Sequence, residues 1–270
     1  MTVRKRVVGV GLLGAGALVL LGLGLLRHPG GSKTHPAQPQ AFLSQVGRLP
    51  PPQRPAFEVG QPKLLSRHEL IAWFAPVRRE VDARKAPRET AAGVASLTLR
   101  TAEATTNIVL VLGQRREPGG LWVQIRLPVL PNNLTGWVPR RALGGYHVVH
   151  THLVVDLERL NASLLNDGRK VFSAQIGIGK PDSPTPTGEF YVRDRVSGFG
   201  NPFYGPIAFG TSARSAVLTD WPAGGFVGLH GTNEPNLIPG RISHGCIRMR
   251  NQDIVRLSHL MPVGTPISIH

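Results

Sequence analysis

The feature that most limits the fold of this chain is the division of its C-terminal part into short apolar runs separated by turn residues. Apolar and polar side chains alternate through His147–Leu157 and again through Lys170–Ile178. Asn166-Asp167-Gly168 lies between these two runs and is a strong hairpin signal. One helical pattern follows, with Asn251 as its N-cap. Many short strands and one helix predict a mainly β fold of the sandwich or barrel-like kind for residues 147–270.

A second β region precedes this one, from residue 94 to residue 145. Its short runs are rich in Val, Leu, Ile, Thr and Trp and are separated by turns. Trp122–Arg126, a Pro/Asn turn at 131–133 and Gly136-Trp137-Val138 together resemble bacterial Src-homology-type small barrels. Such a module either positions its neighbour or binds wall glycan, and the sequence leaves both readings open.

The N-terminus predicts a membrane segment. Arg4, Lys5 and Arg6 precede an uncharged run from Val7 to Leu26, and twenty helical residues span a hydrocarbon core of about 30 Å. This run is longer than the apolar region of a cleaved signal peptide, and no A-x-A site follows it. We therefore predict a cytoplasmic basic tip and an uncleaved single-pass transmembrane signal-anchor in residues 1–26. The basic tip stays in the cytoplasm, which places the remaining chain on the extracytoplasmic side of the membrane.

Residues 27–93 are predicted to be a proline-rich linker. Within it, residues 64–84 show a partial helical pattern, with Ser66 as a plausible N-cap, Glu69 three residues later and Pro76 as an interruption. We expect one short helix there.

The distribution of charge argues against nucleic-acid binding. The formal net charge is +15, yet residues 147–270 hold 11 Lys and Arg against 9 Asp and Glu. The excess therefore lies toward the N-terminus, where it favours anionic lipid or anionic wall polymers. Aromatic residues form only 6 % of the chain, too few for a broad base-stacking surface.

The chemistry-bearing residues are two short clusters, His230-Gly231-Thr232 and Ser243-His244-Gly245-Cys246-Ile247-Arg248. Cys246 is the only cysteine of the chain, and a lone cysteine in an oxidising compartment suggests a nucleophile. Because the attacking species is a thiolate, we expect a depressed pKa for Cys246 and an imidazole beside it. His244 would lie alongside the thiol on the same chain segment, whereas a loop can bring His230 opposite it, so His230 is the predicted base.

Two backbone features complete this expected site. Gly231 lacks a side chain, which lets its carbonyl approach and orient the His230 ring. The N–H groups of Gly245 and Cys246 are predicted to face a developing oxyanion.

These residues resemble the L,D-transpeptidase family, whose catalytic domain is called YkuD-type. The family pattern is a histidine followed by glycine, then Ser/Thr-His-Gly-Cys, a hydrophobic residue and Asn or Arg; the run Pro184–Gly188 also matches. Arg248 stands where a large branch of the family has Asn. The resemblance covers residues 147–269.

The resemblance implies peptidoglycan stem peptides as partners and a two-step acyl transfer. Cys246 would attack a tetrapeptide stem, D-Ala would leave, and an amine of a second stem would resolve the thioester into a 3→3 cross-link. Arg248 would bind a stem carboxylate. Ser243, His244 and Thr232 are the other residues assigned to substrate binding, Ser243 and His244 by shaping the loop. The resemblance also implies acylation by carbapenems and no cofactor.

Four alternatives stay open. Water or a protein as acceptor would make the same thioester chemistry an L,D-carboxypeptidase or a protein-to-wall attachment reaction. His230, His244 and Cys246 could instead be zinc ligands of a hydrolase, although their spacing is unusual and no carboxylate base is near, so no metal is predicted. A non-catalytic wall-binding protein is the last alternative.

Overall fold

Strands dominate the residues that the computed structural model describes, which are 63–64, 71–197, 200–218 and 225–270. The mainly β prediction is confirmed. The predicted anchor, residues 1–26, and nearly all of the predicted linker before residue 71 lie outside the described residues. Within the described ranges, the α-helix is ten residues long and is too short and polar to cross a bilayer.

The first sheet contains the strands of residues 63–149. In order along the sheet they are β4, β3, β7, β6, β5, β2 and β8, and β1 pairs with β5 outside this path. Their bounds are β1 Lys63–Leu64, β2 Ala72–Pro76, β3 Val81–Arg84, β4 Gly93–Leu97, β5 Ile108–Glu117, β6 Gly120–Arg126, β7 Thr135–Pro139 and β8 His147–Val149. That this sheet is an Src-homology-type barrel stays a prediction.

The helix predicted within residues 64–84 is wrong for the described part of that segment, which forms β2 and β3. The physical reason is that the adjacent residues Trp73 and Phe74 each have a different core to fill. Trp73 packs against the buried centre of the first sheet, and Phe74 packs against a second cluster beside Tyr191. Only an extended chain sends neighbouring side chains to opposite faces. The first sheet therefore begins well before residue 94.

The second sheet runs in the order β11, β10, β9, β18, β13, β14, β15, β17, β12, β16. The bounds are β9 Thr151–Asp156, β10 Asn161–Asn166, β11 Arg169–Gln175, β12 Gly177–Gly179, β13 Gly188–Ser197, β14 Ile207–Arg214, β15 Phe226–His230, β16 Gly240–Ser243, β17 Ile247–Arg248 and β18 Pro266–Ile269. Its core draws residues from nearly every strand, including Leu153, Leu164, Phe209 and Leu229. The hairpin predicted around Asn166-Asp167-Gly168 joins β10 to β11.

The strand predicted over His147–Leu157 is two strands in different sheets. β8 pairs with β2, with Val149 opposite Ala72, whereas β9 pairs with β10 and β18. His150 lies between them and its carbonyl accepts from the Asp167 N–H at 2.9 Å. Alternation of apolar residues continues through this crossing, so the sequence pattern does not reveal it.

The α-helix, α1, spans Asn251–Leu260 and buries Ile254 and Leu257. Arg250, rather than the predicted Asn251, occupies its N-cap position. The Asn251 side chain instead accepts a hydrogen bond from the Thr232 N–H at 2.9 Å. A residue with capping chemistry is thus used to hold a neighbouring loop.

The two sheets share a small apolar cluster. It contains Ala72, Ile108, Leu110, Val149 and Tyr191. The buried Tyr191 hydroxyl of the second sheet donates to the Ile108 carbonyl of the first at 3.1 Å. The described sheets are therefore in direct contact.

Candidate active site

Two neighbouring parallel strands bring the sequence clusters together. β15 ends at His230 and β17 begins directly after Cys246. In their register Leu229 lies opposite Ile247 and His230 opposite Arg248. The two sequence clusters are far apart along the chain, but this strand pairing brings them side by side.

Gly228 joins the thiol to the histidine face of β15. Its N–H donates to the Cys246 Sγ at 3.3 Å. Gly228 and His230 lie two residues apart on the strand and so share a face. A methyl group built on Gly228 would lie 3.8 Å from Sγ and 3.7 Å from Cδ2 of the His230 ring. The sulfur and the Cδ2 edge of the imidazole thus flank the same small space.

The His230 ring is held by its other edge. Nδ1 lies 2.6 Å from the Gly231 carbonyl oxygen, which can only accept, so we assign the neutral-ring proton to Nδ1. Nε2 is then the basic nitrogen. Burial lowers the pKa of His230 to about 4; the Arg248 charge adds to this and the Gly231 hydrogen bond opposes it. His230 is therefore a neutral acceptor at neutral pH.

Close packing explains why residue 231 is glycine. A Cβ there would collide with Oδ1 of Asn251 and would lie 3.0 Å from the Gly205 Cα. The Asn251 oxygen is fixed because it accepts from the Thr232 N–H. The Gly231 carbonyl is thereby held where the imidazole can donate to it.

Burial also raises the pKa of the Cys246 thiol, although the Gly228 N–H and the Arg248 charge both favour the thiolate. The depressed pKa expected from the sequence is therefore wrong for this state of the site. The sequence indicates a neighbouring imidazole and a neighbouring positive charge. It does not show how deeply the thiol is buried, and the effect of burial on the thiol pKa is the larger one. The resting pair is a neutral thiol beside a neutral imidazole.

A tight turn positions Cys246. Ser243 Oγ donates to the Cys246 carbonyl at 2.5 Å and accepts from the Gly245 N–H at 3.1 Å. Gly245 has φ +111°, a region that favours glycine. Of the two N–H groups predicted to face an oxyanion, that of Gly245 is already bonded, and that of Cys246 is the remaining candidate.

Thr185 ties this turn to β12 of the second sheet. Its buried hydroxyl donates to the Gly245 carbonyl at 2.8 Å and accepts from the Gly179 N–H at 2.9 Å. The Pro184–Gly188 run of the sequence motif is thus a support of the Cys246 turn.

Arg248 is a buried cation beside the pair. Its Nη1 lies 3.2 Å from the Glu234 carboxylate, and its guanidinium carbon lies 4.3 Å from the centre of the Phe203 ring. Thr232 is also buried, and its hydroxyl accepts from the Glu234 N–H at 3.0 Å. Thr232 therefore orders the loop that carries the partner of Arg248.

The pocket around Cys246 encloses about 440 Å³ with its open mouth. Its lining includes His230, His244, Cys246, Arg248, Phe203, Tyr204, Ser215, Leu218 and Phe226. Tyr204 meets the His230 ring edge to face, with centroids 5.1 Å apart. Sequence reasoning missed the aromatic walls, because Phe203, Tyr204 and Phe226 belong to no short motif. The described residues contain no group of three His, Cys, Asp or Glu side chains arranged to hold a metal ion.

Comparison with known proteins identifies the same part of the chain. A family model described as the L,D-transpeptidase catalytic domain, YkuD, matches residues 150–269. The Bacillus subtilis protein YkuD, named as an L,D-transpeptidase, is 32 % identical over 124 residues, which are 46 % of this chain and 68 % of that protein. Bacillus subtilis YqjB, named likewise, is 30 % identical over 44 % of this chain and 70 % of its own length.

Solved structures are also similar. A crystal structure of an Enterococcus faecium L,D-transpeptidase is 28 % identical with a TM-score of 0.35, and the match covers 44 % of this chain. It spans about half of that protein, 49 %.

Proposed function

The chain belongs to the L,D-transpeptidase family, and on this premise we propose that residues 147–270 transfer peptidoglycan stem peptides through a thioester on Cys246. The observation that carries the proposal is the Gly228 N–H bond to Sγ, on the strand face that also presents His230. A nucleophile and a base then line one pocket, and the Gly231 carbonyl holds the other edge of the base.

In the first step, His230 Nε2 takes the thiol proton as Sγ attacks the carbonyl before the terminal D-Ala of a tetrapeptide stem. The carbon–nitrogen bond breaks, and the imidazolium gives the proton to the departing amine of D-Ala. Because both groups start neutral, the proton moves with the attack rather than before it. The Gly228 N–H and the Arg248 charge stabilise the negative charge that develops on the sulfur.

In the second step, an amine of another stem attacks the thioester carbon. Nε2 takes the amine proton, the carbon–sulfur bond breaks, and the sulfur takes the proton back. The product is a 3→3 cross-link. The Cys246 N–H is proposed to stabilise both oxyanions.

Arg248 is proposed to hold a stem carboxylate. Its charge is buried, and its Nε has no hydrogen-bond partner among the described residues. Its carboxylate neighbour Glu234 is half exposed. An incoming carboxylate at this guanidinium would therefore gain a charge-assisted bond at little desolvation cost to the arginine. His244, exposed at the pocket, is proposed to contact the substrate as well.

We also propose the arrangement expected from the sequence for the rest of the chain. Residues 1–26 would anchor the protein in the membrane, the proline-rich segment after them would act as a tether, and the basic N-terminal part would contact anionic lipid or wall polymers. The first sheet would lie between this tether and the catalytic domain.

The test is incubation of the full-length chain with purified disaccharide-tetrapeptides and identification of the products by mass. We expect release of D-Ala and a 3→3 dimer, both abolished in Cys246→Ala. Tripeptide without dimer would favour the carboxypeptidase reaction, and transfer only to an added protein amine would favour wall attachment. Turnover that survives in Cys246→Ala, or that EDTA abolishes, would contradict the proposal.

A further inference from the structure

The first sheet reaches the Cys246 pocket through a buried ionic contact. Glu103 lies in the connection between β4 and β5. Its Oε2 is buried and lies 3.9 Å from Nη2 of Arg193 in β13. The Arg193 side chain is 4 % exposed, so this contact is shielded from solvent.

Arg193 in turn lies over a wall of the pocket. Its guanidinium carbon is 3.8 Å from the centre of the Phe226 ring, and that of Arg214 is 4.6 Å from it. Phe226 precedes Gly228 and His230 by steps of two on β15, so the three share one strand face. The ring that Arg193 covers is therefore part of the face that presents the base.

The first sheet also holds Arg214 directly. The Asn132 side chain donates to the Arg214 carbonyl at 2.8 Å and accepts from its N–H at 3.0 Å. Arg214 pairs with Phe226 across β14 and β15, and the next residue, Ser215, lines the pocket.

Charge explains why the Glu103 contact matters. Nε and Nη1 of Arg193 make no hydrogen bonds within the described residues, so the guanidinium is held by Phe226 and by nearby carboxylates. Two carboxylates lie near it, those of Glu103 and Asp194. A second cation, Arg214, lies close to Arg193. Burial lowers the pKa of Arg214, and the Arg193 charge lowers it further. Glu103 and Asp194 together compensate these two positive charges, and Glu103 reaches Nη2 of Arg193 from the first sheet.

We infer that Glu103 is a positioning residue for the Cys246 pocket: through Arg193 it fixes Phe226, so the first sheet sets the shape of the substrate wall. The inference rests on the proposed function in that it names a residue that shapes the proposed substrate pocket. It does not depend on which acceptor the reaction uses.

Alkylation of the sole cysteine tests this without relying on turnover. The second-order rate constants for iodoacetamide and for a bulky N-aryl iodoacetamide are measured on the full-length chain, and their ratio reports the width of the pocket. Glu103→Gln keeps the shape and removes the charge, and we expect it to change this ratio about fivefold or more. Glu89→Gln is the matched control, because Glu89 is an exposed carboxylate of the same region paired with Arg141; we expect a ratio within about twofold of the wild type.

Two further variants separate positioning from general loosening. In a Phe226→Leu background, Glu103→Gln should have no further effect on the ratio. Glu103→Asp keeps the charge, so its alkylation ratio should lie closer to the wild-type ratio than that of Glu103→Gln. All assays are run well below the lowest melting temperature of the set.

The inference is overturned if Glu103→Gln leaves the ratio unchanged, if its effect persists without Phe226, or if Glu103→Asp is as altered as Glu103→Gln. Absence of any product from muropeptides in the wild type would instead contradict the proposed function, and the alkylation ratio would still decide the role of Glu103.

Discussion

At the residue scale, burial decides the protonation of the catalytic pair. Cys246 is kept a thiol and His230 a neutral imidazole, even though each contributes to a site where charge must later appear. The reaction therefore depends on groups that favour the charged sulfur only as it forms. The Gly228 N–H, which donates to Sγ, and the nearby Arg248 charge are such groups.

The first prediction concerns the thiol. Since burial raises its pKa, the rate of Cys246 alkylation should climb with pH through a midpoint above the ordinary value of about 8.5. The same chain in denaturant, where Cys246 is exposed, should titrate near that ordinary value. A rate that is already at its plateau at pH 6 would mean a preformed thiolate–imidazolium pair.

The second prediction concerns folding stability. The pKa of His230 is about 4 when folded, below its unfolded value of 6.5, so the unfolded chain binds more protons between these values. The free energy of unfolding must then fall as pH is lowered from 6.5 to 4. Between pH 7 and 4.5, the free energy of unfolding of His230→Gln should fall by about 2 kcal/mol less than that of the wild type, as measured by urea denaturation. His259→Gln, an exposed histidine, is the control; equal losses in the wild type and His230→Gln would count against the neutral buried ring.

At the scale of elements, the site consists of strand ends joined by turns. Thr185 bridges two of them with its hydroxyl, which serves both a buried N–H and a buried carbonyl. The Cys246 turn is therefore supported from outside its own sequence motif.

The third prediction follows from this bridge. Thr185→Val keeps the shape but leaves both backbone groups unpaired, so we expect a loss of about 1–3 kcal/mol in unfolding free energy and a lower transfer rate. Thr187→Val changes an exposed threonine two residues away, and its unfolding free energy should lie within about 0.5 kcal/mol of the wild-type value. Equal behaviour of the two variants in urea titrations would exclude the bridging role.

The elements also mark what sequence reasoning can and cannot reach. Alternation predicted extended chain over His147–Leu157 and Lys170–Ile178, and the motif named Cys246 and His230, because these signals are local. The strands β2 and β3 were predicted as helix, since adjacent apolar residues such as Trp73 and Phe74 fit either structure until both faces are known to be covered. The pocket walls and the direction of the pKa shifts depend on long-range packing, which no short pattern encodes.

At the scale of the molecule, the two described sheets share a core and several hydrogen bonds. Leu110 of the first sheet and Tyr191 of the second are buried in the same cluster. Three of the four tryptophans, Trp73, Trp122 and Trp137, belong to the first sheet, whereas Cys246 lies in the turn before β17 of the second. Fluorescence therefore reports mainly on the first sheet, and thiol labelling reports on the Cys246 turn of the second.

The fourth prediction is that the described sheets unfold together. Tryptophan fluorescence and Cys246 labelling should give the same melting temperature, and Leu110→Ala, which removes a buried side chain at a cost of about 2–5 kcal/mol, should lower both equally. A fall in the fluorescence transition alone would mean that the sheets are energetically independent.

The most direct test of the central claim is intact-mass spectrometry of the full-length chain after brief exposure to a tetrapeptide stem without an acceptor. We expect one added acyl group, equal to the stem without its D-Ala, on the only cysteine; it should be absent from Cys246→Ala and formed at least about a hundredfold more slowly by His230→Gln. An adduct on another residue, or release of D-Ala by Cys246→Ala, would contradict the account.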